Sequence, residues 1–310
     1  MHAPGPNANG SGQFGYVPME FWPDNFDIIR LATAKGILVC EAAGNGYQNL
    51  DGAEYLGLFD RTQRDSGAIM CGATAGSELY SADFSNHGTR VDLNGWGWYV
   101  TTTGYGDLQS GAETELYTAA FSGTSSASPI VTASVASLQA MVRESLGLDL
   151  DARMARDILR ETGTPMTSGH LIGTRPNLVT ALAMADTIVG EIVGTVLDQS
   201  TMLPVTGALV QVGDNGSFTL TDENGQWRLP LAEGTITFEF SSYYYHSTTT
   251  SVPVMAGTTV VLDVNLLPLD RINITGHVYG PNGAVGGVLV TPTDQPVSGS
   301  TTDASGFFSV

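Results

Sequence analysis

The chain has 310 residues, a formal net charge of −19 and a mean hydropathy of +0.05, with 42% hydrophobic and 14% charged residues. This composition excludes a disordered chain, and the length gives room for more than one domain. Because acidic residues outnumber basic ones by 31 to 12, we expect no nucleic-acid partner and no adhesion to anionic membranes.

Residues 1–189 alternate helix and strand signals in chain order. The pattern predicts a helix over 24–36 that ends at Gly36, and apolar strands over 37–43 and 68–73. Further helices are predicted over 129–146, 151–161 and 177–185. Apolar strands that alternate with helices indicate an α/β layer fold with a parallel sheet.

From Gly190 the helix signals stop, and short strands punctuated by Gly, Asn, Asp and Pro predict β-sandwiches. This region also contains an internal sequence repeat. IVGTV at 192–196 matches ITGHV at 274–278, and TDENGQW at 221–227 matches TDASGFF at 302–308. We therefore predict a first sandwich over 190–269 and a second over 270–310. The second copy stops early, so we expect it to be truncated.

The segment GTSSASP, residues 123–129, joins a small-residue turn to the predicted helix. Pro129 is expected in the first helical turn, where its missing N–H breaks no intrahelical bond. Ser125 then lies at or just before a helix N-terminus, where free N–H groups and the helix dipole would face an oxyanion. The same pattern also fits a Ser/Thr N-cap without chemistry.

A second polar position follows the first predicted strand. In CEAAGNG, residues 40–46, Asn45 lies in a glycine-flanked turn at the carboxyl end of the strand, where open α/β sheets bind ligands. Its side-chain amide could donate to a developing negative charge. Taken alone, the segment also fits an ordinary Asn-Gly turn.

Together these motifs resemble the subtilase family of subtilisin-like serine proteases. GTSSASP matches the family's nucleophile motif, AAGN at 42–45 its oxyanion-hole motif, and ADFSNHGTRVDL at 82–93 its intervening Phe-Ser-Asn-x-Gly stretch. Over residues 1–189 the resemblance implies a subtilisin-like α/β fold, with Ser125 as nucleophile and Asn45 as oxyanion donor. It also implies a protein or peptide substrate, an extracellular location, and no cofactor for the chemistry.

The resemblance leaves the catalytic base unassigned. In subtilisin the His lies about 157 and the Asp about 189 residues before the nucleophile, whereas Ser125 follows only 124 residues. Of the two preceding histidines, His87 imitates a His-Gly-Thr motif but follows Asn45, and His2 has no Gly-Thr after it. We reject both as the base, so we expect an N-terminally truncated protease domain that lacks the Asp and His of the triad.

Residues 190–310 resemble carboxypeptidase regulatory-like domains, which are transthyretin-like β-sandwiches. The matching features are the Gly-x-Val start, the stretch from Pro204 to Val210, and Thr-Asp-x-x-Gly before an aromatic residue. This resemblance implies an accessory, non-catalytic role in a secreted or surface protein. The alternative for the whole chain is a non-catalytic surface or adhesion module that retains a degenerate protease shell.

Other motifs receive plainer interpretations. GSGQFG at 10–15 matches a dinucleotide fingerprint but lacks the strand and helix around it, so we predict a flexible loop. Cys40 and Cys71 are predicted to be buried free thiols, and Tyr243–Tyr245 with His246 to be strand residues rather than a sugar platform. The turn acids are interpreted as Asx turns, with structural calcium left open: Asp214, Asp222, Glu223 and Asp303. The sequence predicts no membrane-spanning helix and leaves the oligomeric state open.

Overall fold

The computed structural model describes residues 2–76, 78–213, 216–270, 272–293 and 298–310. It divides into two units, Met1–Leu267 and Pro268–Val310. Asp214, one of the predicted turn acids, lies outside the described residues.

The first unit begins with an antiparallel pair, β1 (His2–Pro4) and β2 (Tyr16–Pro18), followed by helix α1 (Pro23–Ala34). Three parallel strands follow in the order β3 (Cys40–Ala42), β4 (Ile69–Thr74) and β5 (Leu93–Trp96). All six residues of β4 are buried, which is the pattern of a strand covered on both faces. The predicted parallel sheet is confirmed, although β3 is shorter than the strand predicted over 37–43.

An antiparallel hairpin that the sequence analysis missed, β6 (Val100–Thr103) and β7 (Tyr117–Phe121), leads into helix α2 (Thr124–Leu146). The predicted start of this helix was wrong, because α2 begins five residues before Pro129. Pro129 is therefore inside the helix rather than in its first turn, and its missing N–H leaves the carbonyl of Ser125 without its usual helical donor.

Two shorter helices complete the α/β part: α3 (Ala152–Thr162) and α4 (Leu178–Ile188). Each begins after an N-cap residue, since Asp151 accepts a hydrogen bond from the Met154 N–H at 2.7 Å and Asn177 accepts from the Val179 N–H at 3.2 Å. The predictions of helices over 151–161 and 177–185 are confirmed.

The first β-sandwich follows α4 without a linker. One sheet has the order β10 (Phe218–Leu220), β9 (Leu209–Val212), β12 (Gly234–Ser241) and β13 (Thr248–Val254). The other is β11 (Gln226–Ala232), β8 (Val189–Asp198) and β14 (Thr259–Val261), with β15 (Val264–Leu266) also paired to β8. Between the sheets, the centroid of the Trp227 ring lies 5.5 Å from that of Phe238 and 5.4 Å from that of Phe240.

The tyrosine cluster does not lie in a strand as predicted. Tyr243–Tyr245 form the turn between β12 and β13, and the Tyr245 hydroxyl donates to Asp198 Oδ2 at 3.0 Å. The sequence predicted a strand here because tyrosine is enriched in strands, and the flanking residues show the same preference.

The described residues of the second unit form six short strands. They are β16 (Thr275–His277), β17 (Tyr279–Gly280), β18 (Gly283–Ala284), β19 (Leu289–Val290), β20 (Ser300–Thr301) and β21 (Phe307–Ser309). They pair as β16–β21, β17–β18 and β19–β20.

The predicted sequence repeat corresponds to equivalent contacts in the two units. In the first, the Thr221 hydroxyl donates to the Val205 carbonyl and accepts from the Ala208 N–H. In the second, Thr302 makes the same two bonds, to Val285 and from Val288. Strand pairing also places Trp227 opposite Gly194 and Phe308 opposite Gly276.

One continuous hydrophobic core extends from the parallel sheet into the first sandwich, beside two smaller clusters. It includes Ile69 of β4, Val131 of α2, Ile192 of β8 and Trp227 of β11. At the same junction Phe218 lies under two guanidinium groups, those of Arg30 at 5.2 Å and Arg153 at 5.1 Å. The α/β part and the first sandwich therefore pack as one unit.

The same unit contains buried ion pairs. Asp65 binds Arg156 through two bonds of 2.8 Å and is also paired with Arg153. Burial alone would raise the pKa of Asp65, but the two arginines hold it well below its usual range. A second network joins Glu20 to Arg90 by bonds of 2.6 and 2.8 Å.

Candidate active site

The candidate oxyanion donor lies in the turn that follows β3. Asn45 Oδ1 accepts two hydrogen bonds from Thr124, one from its N–H and one from its hydroxyl, both at 2.9 Å. Thr124 is the first residue of α2, so a side chain 79 residues earlier in the chain caps the helix. The structure thus brings Asn45 beside Ser125, while the roles of both residues remain predictions.

Ser125 is the second residue of α2, and its side chain is exposed between the buried Thr124 and Ser126. Gly123 precedes the helix with φ +114°, a backbone conformation that favours glycine, and a Cβ there would approach Asn45 Nδ2 to 3.0 Å. Within the described part of the chain, Ser125 Oγ has no hydrogen-bond partner. An exposed hydroxyl at the positive end of a helix dipole is well placed to attack an incoming carbonyl.

The donor side of Asn45 faces a loop that the sequence analysis treated only as flexible. Asn45 Nδ2 donates to Gln13 Oε1 at 3.0 Å. The loop is fixed beside the turn, because the Gly15 N–H donates to the Gly46 carbonyl at 3.0 Å and the Phe14 ring stacks on Tyr47. Gln13 therefore takes one of the two N–H donors of the Asn45 amide and competes with an oxyanion for this group.

His2 also lies at this turn, although its distance in sequence gave no signal for it. Its Nδ1 accepts the Asn45 N–H at 2.9 Å, and burial lowers its pKa. His2 thus supports the turn as a neutral imidazole acceptor. No hydrogen bond between His2 and Ser125 is present in the described residues.

His87 takes part in a different arrangement. Its ring stacks on His170 with 4.0 Å between centroids, and burial and the neighbouring imidazole lower its pKa. No hydrogen bond joins it to Ser125 in the part of the chain that the structure describes.

Comparison with known families decides the identity of the fold. Residues 17–221 match the model of the subtilase family. The chain belongs to the subtilase family. Residues 191–267 match the carboxypeptidase regulatory-like domain, which overlaps the end of the subtilase match. No curated protein matches the sequence.

Solved structures that resemble this subtilase include fervidolysin from Fervidobacterium pennivorans, described as a keratinolytic enzyme related to subtilisin (19% identity, TM-score 0.41). That match covers 87% of this chain and 44% of fervidolysin, so the subtilase chain spans less than half the length of that protein. The self-cleaved protease domain of PatA is 22% identical with a TM-score of 0.39, and the match covers 59% of this chain and 58% of that one. A lanthipeptide protease is 21% identical with a TM-score of 0.39, covering 52% and 56%.

Two of the turn acids of the subtilase chain make the contacts that their interpretation as Asx turns predicts. Asp222 accepts from the N–H groups two and four residues onward, and Asp303 does the same, as Asx turns require. Cys71 is buried as predicted, whereas Cys40 is only half-buried because β3 is at the edge of its three-stranded sheet.

The described residues contain no group of three or more His, Cys, Asp or Glu side chains arranged to hold a metal ion. Among the helices of the described ranges, none combines the length and apolar character that crossing a bilayer requires.

Proposed function

We propose that this subtilase is a serine endopeptidase that cleaves protein or peptide substrates outside the cell. In this proposal Ser125 attacks the peptide carbonyl, while Asn45 Nδ2 and the Ser125 backbone N–H hold the oxyanion of the tetrahedral intermediate. The observation that carries the proposal is the pair of hydrogen bonds from Thr124 to Asn45 Oδ1. They fix the orientation of the amide, so Nδ2 is the side of Asn45 that is left to donate.

The surroundings of Ser125 support the same chemistry. The hydroxyl is exposed and the helix dipole favours negative charge at this end of α2. Losing the equivalent asparagine donor in a subtilisin costs about 10²–10³ in kcat.

The activity of the chain by itself is a separate question. A serine hydroxyl is a weak nucleophile without a base, and neither His2 nor His87 contacts Ser125 in the described residues. We therefore expect the 310-residue chain alone to turn over peptides slowly. Peptide cleavage or fluorophosphonate labelling at the rate of an intact triad would contradict this expectation.

The same observation favours the second candidate function, a non-catalytic surface module with a degenerate protease shell. The two functions differ in what Ser125 does when a base is supplied. In a non-catalytic module, Ser125 should react no faster than any other exposed hydroxyl.

The test uses p-nitrophenyl acetate with added imidazole as the base. Acyl transfer forms a bond between the acetyl carbon and Ser125 Oγ, releases p-nitrophenolate, and passes the hydroxyl proton to imidazole. Peptide mapping by mass spectrometry then locates the acetyl group. Ser134→Ala is the matched control, because Ser134 lies on the same helix and, within the described residues, its hydroxyl bonds only to the helix carbonyl of Ile130.

We expect acetylation at Ser125 in the wild type and in Ser134→Ala, and none in Ser125→Ala. Asn45→Asp keeps the acceptor oxygen for Thr124 but removes the donor, so its acylation rate should fall by about 10²–10³. Acetyl groups distributed over other residues, with none at Ser125, would overturn the proposal and favour the shell.

A further inference from the structure

The turn that carries Asn45 has an unusual backbone that needs support. Gly44 has φ +94° and Tyr47 has φ +60°, which is an uncommon conformation for a residue with a side chain. The N–H groups on either side of Asn45 find acceptors outside the turn, such as Thr124 Oγ1 for Gly44 at 3.1 Å. The conformation of the turn is therefore imposed by its neighbours rather than by its own residues.

Asn86 is the residue that binds this turn most extensively. Its Oδ1 accepts the N–H groups of Gly46 at 3.1 Å and Gln48 at 2.9 Å. Its Nδ2 donates to the carbonyls of Ala43 at 2.7 Å and Tyr16 at 2.8 Å. The side chain is fully buried, and these four bonds use all of its donors and acceptors.

The backbone of Asn86 adds a fifth contact, since its N–H donates to the Gly44 carbonyl at 2.9 Å. Bonds to Ala43 and Gly44 precede Asn45, and bonds to Gly46 and Gln48 follow it. Asn86 thus holds the turn on both sides of the candidate oxyanion donor.

The lack of a side chain at Gly44 is a condition for this arrangement. A Cβ at Gly44 would lie 2.7 Å from Asn86 Nδ2 and would push the amide away from the turn. The hydrogen bond from Asn86 to the Tyr16 carbonyl also links the turn to β2. This strand follows the loop that carries Gln13.

We propose that Asn86 is a positioning residue that sets the location and orientation of the Asn45 amide. The inference rests on the proposed function, because it assigns Asn86 a role in acyl transfer at Ser125. Asn86 makes no contact with the substrate in this role and acts through the backbone of the turn. Preorganised donors stabilise an oxyanion only when they are held at the correct place before the reaction.

The experiment compares Asn86→Ala with Asn94→Ala under the ester acylation assay. Asn94 is an equally buried asparagine whose amide donates to the Gly173 carbonyl at 2.8 Å and does not touch the turn. Both variants should lose stability. Only Asn86→Ala should lower the saturating acylation rate at Ser125, by about 10- to 100-fold, with little change in the half-saturating ester concentration.

Hydrogen exchange gives a second readout. The Gly46 and Gln48 amides should exchange faster in Asn86→Ala than in Asn94→Ala, because only the first variant removes their acceptor. If Asn86→Ala does not fold, Asn86→Asp decides the question, since it keeps the acceptor oxygen, loses the two donated bonds and should show a smaller fall in the same rate.

Equal acylation rates in the wild type and a folded Asn86 variant would overturn the inference while leaving the proposed function intact. A wild type that shows no acetylation at Ser125 would overturn both.

Discussion

Glu41 on β3 offers a test of how burial controls the stability of the α/β part. Its carboxyl group is buried, Oε1 accepts the Glu20 N–H at 3.0 Å, and Oε2 has no partner in the described residues. Burial, together with the nearby Glu20 carboxylate, raises the pKa of Glu41 from 4.5 to about 8, although Arg90 opposes this. At neutral pH the folded protein therefore keeps a proton here that the unfolded chain has released.

The sign and size of the effect follow from linkage. Because the native pKa lies above the unfolded one, unfolding releases this proton between about pH 4.5 and 8, and its contribution to stability falls as pH rises through that window. The slope for one proton is at most about 1.4 kcal/mol per pH unit and is smaller near the two pKa values. Between pH 5 and pH 8 the contribution of Glu41 to the free energy of unfolding should therefore fall by about 3–4 kcal/mol. Glu41→Gln keeps an acceptor for Glu20 and cannot ionise, so it should escape this loss.

The assay is urea unfolding at pH 5, 6, 7 and 8, followed by tryptophan fluorescence. All four tryptophans lie before residue 228, so the signal reports on the Met1–Leu267 unit. The free-energy difference between Glu41→Gln and the wild type should grow steadily with pH. The exposed Glu54, whose pKa is lowered by hydrogen bonds from its own backbone and Asn7, is the control, since Glu54→Gln should give a constant difference from pH 6 to 8. Parallel stability curves for Glu41→Gln and the wild type would refute the reasoning.

Three further variants have defined outcomes. Asp65→Asn leaves two buried arginines without their counter-charge and should lower the free energy of unfolding by about 3–5 kcal/mol in urea titrations; a loss under 1 kcal/mol would contradict this. Gln13→Ala frees the Asn45 Nδ2 donor and should raise the Ser125 ester acylation rate about 2- to 10-fold at unchanged stability, whereas an unchanged rate would show that Gln13 does not compete. Thr221→Val leaves a buried N–H and a buried carbonyl unpaired and should cost about 1–3 kcal/mol, measured as a lower urea midpoint, while a midpoint within error of the wild type would exclude it.

Local patterns predicted the parts of the fold that depend on local rules. The apolar run at 68–73 became a strand of almost the same extent, and Asp151 and Asn177 mark the starts of α3 and α4. The repeat of Thr-Asp-x-x-Gly was informative because each of its side chains has a backbone partner within the same small unit.

The errors arose where distant residues decide the outcome. Pro129 suggested the wrong start for α2, because the first turn is capped by Asn45 and not by a neighbour in sequence. His2, Gln13 and Asn86 all contact the Asn45 turn. Asn86 belongs to the Phe-Ser-Asn-x-Gly stretch, but neither that motif nor any spacing in the sequence shows that these three side chains meet the turn. The roles of such residues can be recognised only from the folded structure, because folding brings them into contact.

Helix α4 continues directly into β8, so the first sandwich is a structural part of the α/β unit rather than a separate accessory domain. Ile188 ends the helix and Val189 begins the strand, and the same core continues from Val131 through Ile192 to Trp227. A domain joined by a flexible linker can be removed without lowering the stability of its neighbour. Removing a sandwich that shares a hydrophobic core with its neighbour would expose that core. The α/β part and this sandwich should therefore melt in one cooperative transition, and a protease added in trace amounts should find no site between them.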